Sequence, residues 1–187
     1  METITPAAPT PPLHQVLAGF QFSEHHSGIV EAPPAVVWDA LKRMHWTDLS
    51  ATRPLLGIRR LAPGVLGDRL VETFTERAGA VLSEDPPDRL LLVMVGKPWS
   101  LVPQHAPVDS LDQVQSFTEP GWLKYGMEWA LHPVEGNRTL VETRTLCEST
   151  DRSARRAFGA YWRVIRPFSG LLRWDMISTL RRLSAST

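Results

Sequence analysis

An α+β domain, with an antiparallel sheet wrapped against one long C-terminal helix, is the architecture this sequence predicts. Three observations carry it. Side chains alternate clearly from Gly121 to Pro133, and a turn signal and a partner strand follow. Apolar residues recur every three or four positions from Ala154 to Leu183. The chain has 187 residues, enough for one domain with a sizeable core.

Taken in order, Met1 to Pro12 carries four Pro and no Lys or Arg, so residues 1–13 read as a disordered tail, with the domain spanning 14–187. A secretory signal needs a basic start and a continuous apolar core, and both are missing here. Phe22 to Ala32 reads as a strand stopped by Pro33 and Pro34. Proline is tolerated in a first helical turn, and Val36, Val37, Trp38, Ala40 and Leu41 follow at helical spacing. A second short helix is expected from Trp46.

Four strands are then expected: Leu55 to Leu61, Arg69 to Arg77, Ala78 to Glu84, and Leu90 to Val95. The last is apolar on both faces and should be covered on both. Asp85-Pro86-Pro87-Asp88 is a strong turn signal, and Gly96 to Asp112 reads as a long loop. Leu123, Tyr125, Met127, Trp129 and Leu131 share one strand face; Glu135-Gly136-Asn137 turns the chain into Thr139 to Glu148. Asp151 is the expected N-cap of the final helix, and Pro167 with Ser169-Gly170 should kink or interrupt it.

Composition narrows the function classes. With 43% hydrophobic and 21% charged residues the chain is neither disordered nor fibrous. Seven Trp against two Tyr point to a broad cavity or a thick core. The lone Cys147 excludes an internal disulfide and a cysteine-based zinc site, and suits a reducing, cytoplasmic setting. No stretch approaches the roughly 20 apolar residues of a membrane span. Net charge is zero, but from Asp151 onward eight Arg stand against two Asp, a net of +6, which leaves −6 for the first 150 residues. The plainer reading is an acidic sheet complementing a basic helix; the sharper one is a basic surface for anionic lipid head groups. No nucleic-acid partner is expected, because the arginines sit on one helix without a recognised motif.

Two stretches carry a resemblance. Ile29-Val30-Glu31-Ala32-Pro33-Pro34-Ala35-Val36-Val37-Trp38-Asp39-Ala40-Leu41 and Leu140-Val141-Glu142-Thr143-Arg144 resemble the opening segment and last strand of the START-like (SRPBCC) helix-grip superfamily. Phe158, Tyr161-Trp162-Arg163 and Ile165-Arg166-Pro167 resemble the C-terminal helix of its uncharacterised bacterial members. The resemblance covers roughly Phe22 to Leu183. It implies a curved antiparallel sheet wrapped around the long helix, two short helices after the first strand, and a cavity between sheet and helix. It is nearly silent on function, because this fold hosts carriers, cyclases, hydrolases and receptors.

No phosphate-binding glycine loop, dinucleotide motif or nucleophile elbow is present, so no cofactor is expected. Nor is a metal: His25 and His26 are adjacent on a strand and point to opposite faces. Glu142 and Arg144 share a strand face with Leu140 and Leu146, as a cavity-lining charged pair or as an exposed one; alternation does not choose, and the expectation carried forward is that they turn to the cavity. Tyr125, Met127, Trp129, Phe158, Tyr161 and Ile165 are the expected lining, though such a stripe is more often simply core. Trp99 and His105 belong to the loop expected at the mouth, and His45-Trp46-Thr47-Asp48 to its other wall. The leading expectation is binding, transport or sequestration of a small apolar or amphipathic molecule. Its rivals are cyclase, dehydratase or hydrolase chemistry on a polyketide-like or aromatic substrate, and a peripheral membrane or protein-interaction module using the Arg-rich helix.

Overall fold

The alternation that begins at Leu123 builds the centre of a six-stranded antiparallel sheet. The computed structural model of the chain describes residues 9–52 and 68–185. In chain order these form α1 (Leu13–Val16), β1 (Phe22–Val30), α2 (Pro34–Arg43), a single turn at Trp46–Asp48, and α3 (Leu70–Glu72), which continues as a π-helical turn at Thr73–Arg77. There follow β2 (Val81–Asp85), β3 (Arg89–Lys97), β4 (Gln104–His105), α4 (Leu111–Ser116), β5 (Leu123–Val134), β6 (Arg138–Ser149) and α5 (Arg152–Ala185). Strand order is β1-β6-β5-β3-β2, with β4 pairing to the end of β3. The β5–β6 hairpin closes through Gly136 and Asn137, both at positive φ, as a tight turn demands.

One sheet face packs under α5 and α2: Leu90, Leu92, Met127, Trp129, Leu131 and Val141 meet Val37, Leu41, Met176, Ile177 and Leu180. The opposite face is covered in part. Leu91, Val93, Val95 and Leu146 lie beneath Leu13, Val16, Leu17, Ala106, Val108 and Val114. That double cover explains why β3 reads as a continuous apolar run.

Several expectations need correction. Arg69 to Arg77 is helical, not a strand. Leu70, Val71, Phe74 and Ala78 fall at helical spacing, and Phe74 packs 6.1 Å from the Trp46 ring. The threonines add to this: Thr73 Oγ1 donates to the Arg69 carbonyl and Thr75 Oγ1 to the Glu72 carbonyl. Residues 1–13 were expected as tail, yet Thr10 and Leu13 are buried, and the Leu13 amide donates to Glu128 Oε1 at 3.4 Å. The expected strand at Leu55 to Leu61 lies outside the described residues. Helix α5 is continuous through Pro167. Both Pro167 and Arg163 are exposed, so water can take the Arg163 carbonyl that proline leaves without a donor. Asp151 caps the helix as expected, its Oδ1 accepting from the Ala154 amide at 2.7 Å.

Candidate functional site

Register decides which residues face α5. On β6 the inward set is Val141, Thr143, Thr145 and Cys147; on β1, paired opposite, it includes Phe22, Glu24 and His26. Two fully buried clusters pin the helix to this face. At one end Leu123, Cys147 and Phe158 are closed over by Phe22, Trp99, Tyr161 and Trp162. At the other lie Trp129, Val141, Met176 and Leu180. Between them Tyr125, Thr145, Glu24 and His26 of the sheet and Phe168, Ser169 and Leu172 of the helix are only half-buried. Helix and sheet close tightly at both ends and stay partly accessible in the middle.

That middle is polar where a core would be apolar. Arg173 is 6% exposed, and its guanidinium donates to Thr145 Oγ1 at 2.8 Å and to Thr143 Oγ1 at 3.4 Å. It stands 5.9 Å from the Trp129 ring. Among the described residues no carboxylate lies within 4.0 Å of it. Burial pushes its pKa down to about 10, and the charge of Glu24 pulls the other way. Glu24 is itself held off, accepting from Ser169 Oγ at 2.6 Å; His26 Nε2 lies 3.1 Å from it but is not aligned for a hydrogen bond. The buried cation thus feels a nearby carboxylate without touching it.

A second polar group sits toward β4. The Tyr125 hydroxyl and His105 Nδ1 lie 3.2 and 3.3 Å from where a Cβ would stand on Gly96, and the Gln104 carbonyl oxygen lies 2.7 Å from it. Only glycine fits there. Desolvation raises the Tyr125 phenol above its ordinary pKa, with Cys147 and Tyr161 adding to the effect, and desolvation lowers that of His105. The Cys147 thiol is likewise raised by burial.

Of the expected site residues, Tyr125, Met127, Trp129, Phe158 and Tyr161 lie between sheet and helix, and the Trp99 ring packs at a tilt 6.2 Å from that of Phe158. Ile165 is half-buried and His105 exposed overall. Glu142 and Arg144 are a correction. They point to the opposite face of the sheet, because Thr143 and Thr145 take the inward positions. They are also not a pair: Glu142 bridges His25 (2.9 Å) and His132 (3.1 Å). Both line a cleft of about 190 Å³ under Pro12 and His14, with Arg89 bonded to Glu128 at its side. His25 and His26 do face opposite ways, as strand alternation requires. Asp48 accepts the His45 amide at 2.8 Å in a reciprocal cap, so that stretch closes a helical turn. Sequence reasoning passed over Arg173, Glu24, Thr143 and Thr145. One signal was there: Ser169, Arg173, Met176 and Leu180 are spaced 4, 3 and 4 apart, one row of a helix.

No protein-family model matches the chain, and no curated protein matches it in sequence. Solved structures similar to it include the Zhui aromatase/cyclase from Streptomcyes sp. R1128 (11% identity, 87% of this chain and 95% of that one, TM-score 0.37). CalU16 from Micromonospora echinospora is another (17%, 88% and 84%, TM-score 0.31), as is truncated norcoclaurine synthase from Thalictrum flavum (14%, 87% and 92%, TM-score 0.35). Identities this low leave the function to be read from the chain's own residues.

Proposed function

We propose that this chain binds a small amphipathic molecule between the sheet and α5, with its apolar body among Tyr125, Phe168 and Leu172 and an acidic or carbonyl group on Arg173. One observation carries the reading: a buried guanidinium held in place by two threonine hydroxyls, without a carboxylate in reach among the described residues. A charge taken out of water costs several kcal/mol unless it is paired. Arginine presents a planar fork that suits a carboxylate or carbonyl oxygen, and it is already oriented here. Glu24, near Arg173 on β1, gives a ligand hydroxyl somewhere to donate. The START-like resemblance implies a cavity in the same place.

A catalytic version, cyclase, dehydratase or hydrolase chemistry on a polyketide-like or aromatic substrate, is favoured by the approach of the Tyr125 hydroxyl and His105 Nδ1 over Gly96. A neutral imidazole and a protonated phenol are a workable base and acid.

The deciding experiment is native mass spectrometry of freshly purified parent protein and of Arg173→Met. The binding reading expects an acidic or carbonyl-bearing adduct on the parent that the variant lacks. The same adduct on both, or a parent that binds no member of a panel of aromatic and fatty acids, sinks it.

A further inference from the structure

The surface of α5 that turns away from the sheet carries a second apolar row. Ala160, Val164, Pro167, Leu171 and Trp174 are spaced 4, 3, 4 and 3 apart, so they fall on one face of the helix over about 21 Å. All five are exposed; Val164 shows 78% and Trp174 58% of its surface. Scattered apolar surface residues mean little, but a row in helical register makes a continuous apolar strip of the kind that marks interaction surfaces.

Beside this row runs a basic one. Arg152, Arg155, Arg156, Arg163 and Arg166 are exposed, and none of their side chains makes a hydrogen bond or ion pair with a described residue. The expectation of an acidic sheet neutralising this helix therefore fails for these five. The single acid within α5, Asp175, is buried and accepts bonds from Ala51 and Thr52. Keeping these arginines has a cost. Arg152 and Arg155 oppose the helix dipole in the first turn, and like charges three or four residues apart repel. Four of them, Arg152, Arg155, Arg156 and Arg163, line an open cleft of about 610 Å³ with Phe22, Gly159 and Ala160.

We propose that this face of α5 docks on an anionic lipid bilayer, the apolar row entering the interfacial layer and the arginines taking lipid phosphates. A second copy of the chain fits poorly, because an exposed helix face without one acid would set arginine against arginine. A convex helix face suits a planar, fluid surface, on which arginine stems lie along the acyl boundary while their charges reach the head groups. Trp174 has the amphipathic ring favoured at that depth. The chain's neutrality as a whole does not oppose this, since the five exposed arginines bring +5 to this face and the balancing charge lies elsewhere in the chain. The exposed apolar row lies on a different face of α5 from the buried Arg173, so ligand binding and lipid docking are separable.

The test is co-sedimentation with phosphatidylcholine vesicles, with and without phosphatidylglycerol, over a range of salt. Binding should require the anionic lipid and weaken as salt rises. Arg152→Gln/Arg155→Gln/Arg156→Gln should weaken it roughly hundredfold, at about one kcal/mol per arginine. Val164→Ser/Trp174→Ser should weaken it at least roughly tenfold. Unchanged circular dichroism and melting would show both variants folded, and the triple Arg→Lys variant should keep most of the binding. No binding to anionic vesicles at low salt overturns the proposal. So does a Val164→Ser/Trp174→Ser protein that binds like the parent while inorganic phosphate competes, which would make the cleft a free-anion site. A dimer that the same double substitution dissolves would assign the face to self-association instead.

Discussion

Replacing Arg173 by methionine separates a ligand-anchoring arginine from a structural one. Burial pulls its pKa down from the ordinary arginine value to about 10, which corresponds to about 3 kcal/mol against the charged form in the folded state. Because the folded state holds this proton less tightly, the penalty is fully present at neutral pH. It is relieved only as pH rises past about 10 towards the ordinary arginine value. That window is unusable for a direct test. The raised Tyr125 and Cys147 groups lose stability as pH climbs past their ordinary values of 10.0 and 9.0, with the opposite sign. Substitution at neutral pH avoids the conflict. Methionine removes this net penalty of about 3 kcal/mol, in which the attraction of Glu24 is already included, and it forfeits two hydroxyl contacts, each worth about 1–2 kcal/mol. The terms nearly cancel, so urea unfolding of ligand-stripped Arg173→Met should fall within about 1 kcal/mol of the parent at an unchanged m-value. Affinity for an acidic ligand should drop by about 2–5 kcal/mol, the cost of losing one side of a buried charged contact. A structural arginine behaves in the reverse way. A stability loss of about 3–5 kcal/mol with ligand binding intact would refute the assignment.

Three further perturbations test the frame around the site. Asp175→Ala strips the acceptor from the Ala51 amide and from the Thr52 amide and hydroxyl (3.0, 2.8 and 2.8 Å), and should cost about 3–5 kcal/mol in urea unfolding, more than Asp175→Asn. Gly96→Ala places a methyl 2.7 Å from the Gln104 carbonyl oxygen; a loss of about 1–3 kcal/mol is expected, with faster hydrogen exchange at the Ala106 amide, which bonds to Val95 across the same pairing. Leu13→Ala should destabilise by about 2–4 kcal/mol, because the side chain is fully buried against the outer sheet face; no change in the unfolding midpoint would mean that the N-terminal segment does not dock there.

The elements were legible where one periodicity dominated, and the site was not, because its location is a matter of register between distant strands. The β5–β6 hairpin announces itself through the alternation from Leu123 to Leu131 and through Gly136-Asn137. The long helix does so through its stripe from Ala154 to Leu183. The Leu70 to Arg77 helix was missed because Thr73 and Thr75 count as strand formers, while in place their hydroxyls bond back to helix carbonyls. On β6 the two faces carry Leu140, Glu142, Arg144 and Leu146 against Val141, Thr143, Thr145 and Cys147, and both end in a buried apolar residue. Leu146 is buried only because α1 and α4 cover the outer face, so burial of that side argued falsely for a cavity there. The real discriminator lies elsewhere in the chain. Glu24 stands opposite Thr145 and His26 opposite Thr143 across the β1–β6 pairing, and Arg173 descends on the same spot from α5. A threonine on a strand is ambiguous between solvent and interior. Two threonines on one face become informative when a charged residue sits within the apolar row of the helix that crosses them, since a buried guanidinium needs hydroxyls or carbonyls to receive its protons. Arg173 follows Ser169 by four positions and precedes Met176 by three, which places it in that row, although it also follows the exposed Arg166 by seven and so stands at the border between the two faces. A charge in an apolar helical row is therefore the feature to seek in a chain of this architecture, ahead of any pair of charges on a strand.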